Sequence, residues 1–213
     1  MQAPEILFET NAALVINKPA GLPVYAGRAG GASIEDFFPL WRRGKTGPWA
    51  VHRLDQDTAG CLLVARGKSF LHEAQHLMAA GDAQKQYWAV LRGVPSVAKG
   101  CVDAPLAKVT RGRQWRMVVA KDGAPARTKW RVLGTHAGRS LVEFTLLTGR
   151  THQIRVHAAH LGCPVWGDPV YGDGEQAMCL LARSLSLPTS MPVAAVAPVP
   201  THMQEAVQNC LGA

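Results

Sequence analysis

Two stretches of the chain place titratable side chains where an apolar layer would normally exclude them. The first is WAVHRLDQDTAGCLLVARG, residues 49–67, which reads mostly as buried strand but carries Arg53, Asp55 and Asp57 in its middle. In an extended chain alternate side chains share a face. His52 and Leu54 are then expected on one side, and Arg53 and Asp55 on the other, with Asp57 beside them if the chain stays extended. Asp55 stands where the apolar run breaks into a turn, a position that can face a cleft. An ionised carboxylate there is acceptor-only and can serve as a nucleophile or a base. The competing reading is a structural ion pair with an Asx-turn at Asp57.

The second stretch is TGRTHQIRVHAAH, residues 148–160. Gly149 at a helix start allows close backbone approach, and the first-turn amides there can bind an anion. Arg150 adds a cation at the end where the helix dipole disfavours one, which points to a phosphate or carboxylate partner. On the helix, His152, Arg155 and Ala159 fall on one side at three- and four-residue steps. His157 and His160 resemble metal ligands, but no carboxylate accompanies them at a helical i+4 spacing and HExxH is absent. Neither DQD (55–57) nor GDPVYGDGE (167–175) has convincing metal-site spacing, the latter departing from the EF-hand. No GxxxxGK[ST] and no strand-to-helix GxGxxG occurs. Neither a metal nor a nucleotide cofactor is expected.

These residues must be positioned by a strand-rich chain. ILFE (6–9) and ALVINK (13–18) read as short strands, and KPAGLPVYAGRAGGAS as a surface loop rich in Gly and Pro. Ser33, with Asp36 three residues on, gives a capping-box-like start to a short helix. WAVHRL and GCLLVAR are expected strands on either side of the DQDT turn. FLHEAQHLMAAG is amphipathic, with Phe70, Ala74, Leu77 and Met78 on one face and Gly81 as a C-terminal stop. QKQYWAVLRG, GCVDAPL, QWRMVVA, ARTKWRVLG and RSLVEFTLL follow as strands, with turns at KDG (121–123) and THAG (135–138). THQIRVHAAHLG is a helix ending at Gly162, CPVWGDPVYGDG a loop and MCLLARSLSL a strand. SMPVAAVAPVP is too proline-rich for a regular element, and Thr201 with Gln204 suggests a capping box for a last short helix. Few helices among many hairpin-connected strands predict an α+β fold on a mixed or antiparallel sheet.

The chain has 213 residues, enough for one domain or two small lobes, and 47% hydrophobic against 18% charged residues makes it globular. Its 23 Lys and Arg against 15 Asp and Glu give +8, a balance that favours a polyanionic partner, nucleic acid first. Cys61, Cys101, Cys163, Cys179 and Cys210 are odd in number and unpaired in spacing, as small buried thiols of a reducing compartment. MQAPEILFET has no signal-peptide pattern, and no apolar run approaches the ~20 residues that cross a bilayer. A cytoplasmic protein is expected.

Together the blocks resemble those of the pseudouridine synthases of the RluA branch. HRLDQDTAG matches the family's HRLDxxTSG, TGRTHQIRVH its TGRxHQIRxH, INKPAGLPV its KPxGxxV, KQYWAVLRG its KxYxAxxxG and GDPVYG its GDxxYG. The first two are specific in combination, and all five stand in family order. The resemblance implies a curved, largely antiparallel mixed sheet with a central RNA-binding cleft, and isomerisation of a uridine without cofactor. Carried over, Asp55 is the catalytic aspartate, Arg155 the basic residue that pairs with it, Tyr87 the tyrosine against the target base, and Arg53 the arginine beside the nucleophile. Whether Asp55 adds to the ribose C1′ or removes the C2′ proton stays open. Arg150, His152 and His52 are expected among the RNA contacts. Ala59 replaces the family's Ser and Cys61 its Leu, and LLA (180–182) stands where relatives often read LHA, so that Leu181 replaces a His. No S4-type domain precedes the catalytic block, which makes a stem-loop of rRNA or tRNA, bound by a monomer, the expected substrate. A catalytically silent RNA-binding protein is the alternative.

Overall fold

The computed structural model describes residues 1–27, 30–112 and 114–212. In chain order the elements are β1 (Ile6–Glu9), β2 (Ala13–Lys18), a 3-10 turn (Ile34–Phe37), α1 (Phe38–Trp41), β3 (Trp49–Ala50), β4 (Ala59–Ala65), α2 (Lys68–Ala80) and β5 (Gln84–Arg92). There follow β6 (Lys99–Asp103), β7 (Leu106–Arg111), β8 (Gln114–Val119), β9 (Arg127–His136), β10 (Arg139–Leu146), α3 (Gln153–His160), β11 (Leu180–Leu187), β12 (Val193–Val196) and α4 (Thr201–Leu211). This is the expected α+β class, with mostly antiparallel strands. No described helix is long and apolar enough to cross a membrane.

The chain divides into two compact units, one of residues 1–85 and 182–198, the other of residues 86–181 and 199–213. In the first, β2 pairs antiparallel with β1 and with β4, and β12 pairs antiparallel with β11. β4, AGCLLVA, is buried throughout, as a strand covered on both faces should be. In α2, Phe70 and Ala74 of the predicted face are buried, Leu77 and Met78 half-buried, and Gly81 closes the helix in the left-handed conformation at φ 88°. The loop expected over 18–33 includes Arg28 and Ala29, which lie outside the described residues.

In the second unit β5, β10, β9 and β6 form consecutive antiparallel pairs. The β9–β10 turn at Ala137 and Gly138 has positive φ at both residues (45° and 75°), the two-residue hairpin form whose twist suits its strands. β7 and β8 make a separate two-stranded hairpin. Its base is held by paired hydrogen bonds between Leu106 and Ala124 (2.8 and 2.9 Å). Gly123 permits that closeness, since a Cβ there would lie 2.5 Å from the Leu106 carbonyl carbon.

Four expectations are corrected. The strand expected over WAVHRL stops at Ala50, because beyond Val51 a side chain rather than a backbone carbonyl meets β4. SMPVAAVAPVP contains β12, because Pro192 and Pro198 flank Val193–Val196 instead of interrupting it. α4 has Pro200 as N-cap and no capping side chain, so Thr201 and Gln204 form no box. Cys101 is exposed, whereas the other four thiols are buried as expected.

Candidate active site

Asp55 lies in the first unit on a loop whose shape is fixed by backbone contacts from both sides. The β3–β4 ladder pairs Trp49 with Ala65 and Ala50 with Val64, and Val51 N–H still donates to Leu63 O at 2.9 Å. The next acceptor in line is not a carbonyl: Leu63 N–H donates to His52 Nε2 at 3.1 Å. His52 thus ends the ladder and releases the chain into the 51–58 loop. A ring nitrogen that accepts must be unprotonated, and burial, with the Lys85 charge adding to it, pushes the His52 pKa down to about 4. Leu54 is buried, Arg53 exposed and Asp55 half-buried, and Thr58 N–H closes a turn on Asp55 O at 3.1 Å.

The other side of the loop is bound to the segment after β2 by Lys18. Its side chain is fully buried and its ammonium donates to Pro19 O, Leu22 O and Gln56 O, each at 2.8 Å. An ammonium has three donors and no acceptor, so this set satisfies it completely. Gly21 N–H adds a bond to Gln56 O (3.0 Å), and Gln56 Nε2 returns one to Gly21 O (3.1 Å). The residue next to Asp55 is thereby tied to 18–22 by three hydrogen bonds. Burial lowers the Lys18 pKa to about 8, against the pull of the Asp57 and Asp55 charges.

In the second unit α3 begins at Gln153, two residues later than expected, and His152 is its N-cap in the left-handed conformation (φ 54°). His152 therefore precedes the helix and does not share its Arg155 face. The Gln153 side chain fills the helix entry. Its Oε1 accepts from Thr148 Oγ1 (2.8 Å) and Arg150 N (2.9 Å), and its Nε2 donates to Arg127 O (3.0 Å) and Thr128 Oγ1 (2.9 Å). One amide thus closes the turn that the anion reading left open. Arg150 is exposed and its Nε donates to Pro125 O at 3.0 Å.

One turn on, His157 Nε2 meets Ala104 O (3.0 Å), so that nitrogen must be the donor. Nδ1 of the neutral ring then accepts from Thr128 Oγ1 at 2.8 Å. Burial lowers the His157 pKa, which favours this neutral form. The hydrogen bonds run in one sense from Gln153 through Thr128 and His157 to Ala104, and both ring nitrogens that resembled metal ligands are used.

Arg155 is buried, and Asp168 takes its Nε (2.7 Å) and Nη2 (2.8 Å) in a forked pair. The same carboxylate caps its own turn, Oδ1 accepting from Val170 N (2.8 Å) and Tyr171 N (3.1 Å). Burial pushes the Asp168 pKa up, but Arg155 and these N–H donors outweigh it and hold it below the ordinary value. The turn delivers Tyr171, whose ring lies 5.2 Å from the Arg155 guanidinium carbon. Tyr171 OH accepts from Met117 N (2.9 Å) and meets His152 Nδ1 (3.0 Å). Gly167 opens this turn at φ 78°, where a Cβ would strike Ala177 O at 2.5 Å.

Tyr87 is buried on β5 opposite Phe144 of β10. The structure thus groups His52, Arg53 and Asp55 on one loop of the first unit, and places Tyr87, Arg150, His152 and Arg155 in the second. The positioning residues Lys18, Gln153, His157 and Asp168 were not assigned from sequence. Lys18 and Asp168 lay inside recognised blocks as members of loops, and the i, i+4 spacing of Gln153 and His157 was the available signal for a shared face. Burial raises the thiols of Cys61 to about 11 and Cys179 to about 12, so neither supplies a thiolate near neutral pH.

A half-buried carboxylate on a braced loop in a basic α+β chain defines a candidate enzyme of nucleic acid, and comparison makes the class specific. The chain belongs to the RNA pseudouridylate synthase family, whose model matches residues 12–160. It is accordingly an isomerase that converts uridine in RNA to pseudouridine. An uncharacterized RNA pseudouridine synthase of Zymomonas mobilis is 43% identical over 93% of this chain and 94% of its own length. The ribosomal large subunit pseudouridine synthase D of the same organism is 37% identical, over 85% of this chain and 60% of that protein. The solved structure of human RNA pseudouridylate synthase domain containing 4 superposes with a TM-score of 0.82 at 27% identity, covering 97% of this chain and 92% of that one. The chain spans about half the length of some other curated relatives, such as 51% of the synthase D of Xanthomonas campestris.

Proposed function

We propose that Asp55 is the catalytic carboxylate of this synthase and that the substrate is a uridine in a structured RNA, ribosomal RNA before tRNA. The bond from N1 to the ribose C1′ breaks, the base turns, C5 bonds to C1′, the C5 proton leaves and N1 gains one. Atoms and electrons balance without a cofactor. Asp55 acts on the sugar, by addition to C1′ or by removal of the C2′ proton. Tyr87 offers an aromatic face to the uracil, and Arg155 the charge that favours an ionised carboxylate. Arg53 and Arg150, both exposed, supply phosphate contacts. His52 serves the site by ending the β3–β4 ladder, its Nε2 being committed to Leu63 N–H. The relatives named ribosomal large subunit synthases favour rRNA as the class.

The observation that carries this reading is the bracing of Gln56 by Lys18 and Gly21, which fixes the backbone beside Asp55 without using its carboxylate. The target must leave its stack to reach a side chain so held, which costs a few kcal/mol and favours loops. The test is tritium release from C5-labelled uridine in rRNA and tRNA transcripts. The unsubstituted protein is expected to release label without added metal or nucleotide, and Asp55→Asn to lose about a thousandfold or more in rate. Equal release by the variant removes Asp55 from this role, and absence of release from both pools favours a silent RNA-binding protein.

A further inference from the structure

The β7–β8 hairpin carries a feature that the reaction above does not use. Residues 106–119, LAKVTRGRQWRMVV, contain Lys108, Arg111, Arg113 and Arg116 and no carboxylate, half of the chain's net charge of +8 in fourteen residues. The base is buried: Leu106 joins Ala126 and Val156 in a small core against which Met117 and Tyr171 pack. Toward the tip the side chains are exposed, among them Lys108, Arg111, Arg116 and Trp115, which keeps 44% of its surface in solvent. Trp115 is thus a large aromatic side chain half open to solvent on a cationic arm.

The register puts Lys108 opposite Met117 and Thr110 opposite Trp115, so Lys108 and Trp115 share the face that turns toward α3. There the Trp115 ring stacks on His152 (centroids 5.2 Å apart, planes at 28°), with the Lys108 ammonium 4.7 Å from the indole centroid. His152 meets Tyr171 edge-on at 5.7 Å, and Tyr171 lies against Arg155. Three rings, Trp115, His152 and Tyr171, therefore run in succession, with the Lys108 ammonium at one end and the Arg155 guanidinium at the other. An exposed aromatic face with a cation beside it is what single-stranded nucleic acid requires, since every base has a π-face and every linkage a negative charge.

We propose that Trp115 is a stacking platform for an unpaired nucleotide of the substrate RNA, with Lys108 moving from the indole to that nucleotide's phosphate. The proposal rests on the chain acting on RNA as described above. It places the bound nucleotide at the exposed Lys108–Trp115 end of the row and makes the hairpin select single-stranded over paired flanks. His152, hydrogen-bonded to Tyr171, supports the platform from beneath.

The experiment uses the whole chain and fluorescently labelled RNA, a ten-nucleotide unpaired oligoribonucleotide beside its duplex, with salt titrations. Trp115→Ala is expected to weaken single-strand binding about tenfold and to leave the weaker duplex binding unchanged, with Trp115→Tyr restoring most of the loss. Lys108→Gln is expected to reduce the slope of log affinity against log salt by about 0.7, the value for one phosphate contact on a single strand. Thermal melts of each variant separate a lost platform from a disturbed fold, and the Tyr variant covers the case in which Ala unfolds the hairpin. Single-strand affinity unchanged in Trp115→Ala, or equal losses for single strand and duplex, overturns the proposal. Asp55→Asn in the same assay keeps the two readings apart: it is expected to bind single strands as the unsubstituted protein does while releasing no label. Should it release label normally, the catalytic assignment fails and the platform stands or falls on its own binding data.

Discussion

The loop that carries Asp55 and the helix start that carries Arg155 are both held by buried polar groups, but by opposite means. The 51–58 loop is fixed through backbone atoms: Lys18 joins its Gln56 carbonyl to those of Pro19 and Leu22, and His52 takes one peptide N–H of β4. The entry to α3 is fixed through side chains that recognise one another, Gln153 with Thr148 and Thr128, Thr128 with His157, and Arg155 with Asp168. Backbone bracing sets the path of the loop through peptide groups. Side-chain bracing fixes each orientation but commits most of the polar atoms to one another.

The comparison breaks most severely at Lys18. Lys18→Met retains the length of the side chain and leaves the carbonyls of Pro19, Leu22 and Gln56 without their shared donor. Gln56 O keeps the Gly21 N–H, and the other two cost about 1–3 kcal/mol each when left unpaired, so a loss of at least ~2 kcal/mol in a denaturant titration is expected, with tritium release falling further than stability explains. Asp168→Asn is expected to cost about 3 kcal/mol, because the buried Arg155 loses its forked carboxylate. A urea midpoint unchanged in that variant would show that the side-chain brace is dispensable. Gln153→Ala removes four hydrogen bonds at once and is expected to destabilise by about 2 kcal/mol, with proton exchange of the Arg150 amide accelerating in NMR.

The smallest effect expected is with pH. The Lys18 pKa of about 8 lies below the ordinary lysine value of 10.5, so between these limits the unfolded chain holds the proton and the folded one does not. Stability from this group alone therefore rises with pH across that window. The neutral amine has one donor fewer for the loop, so activity is expected to fall over the same range. A rate profile flat from pH 7 to 10 would show that two of the three bonds suffice.

The carboxylate was legible because Asp55 interrupts an apolar run, and the class of fold because hairpins outnumber helices. What escaped was set by tertiary contacts. Nothing local shows that His52 substitutes for a carbonyl and ends a strand, or that Lys18, where the expected strand 13–18 meets the expected surface loop, is fully buried. The start of α3 was displaced because His152 takes the left-handed conformation, rare for a residue with a Cβ. Asp168 hid in a block that read as turn residues, and its pairing with Arg155 spans thirteen positions. Pro192 and Pro198 signalled an irregular segment, though only the four residues between their flanks needed to pair.

The three oxygens around Lys18 belong to peptide groups, and every amino acid carries one. Replacing Leu22 or Gln56 keeps the acceptor and forfeits only what its own side chain adds, core packing for one and the bond to Gly21 O for the other, so a mutational scan should find position 18 the least tolerant of the three. The contour of the loop thus leans on one codon more than on any other.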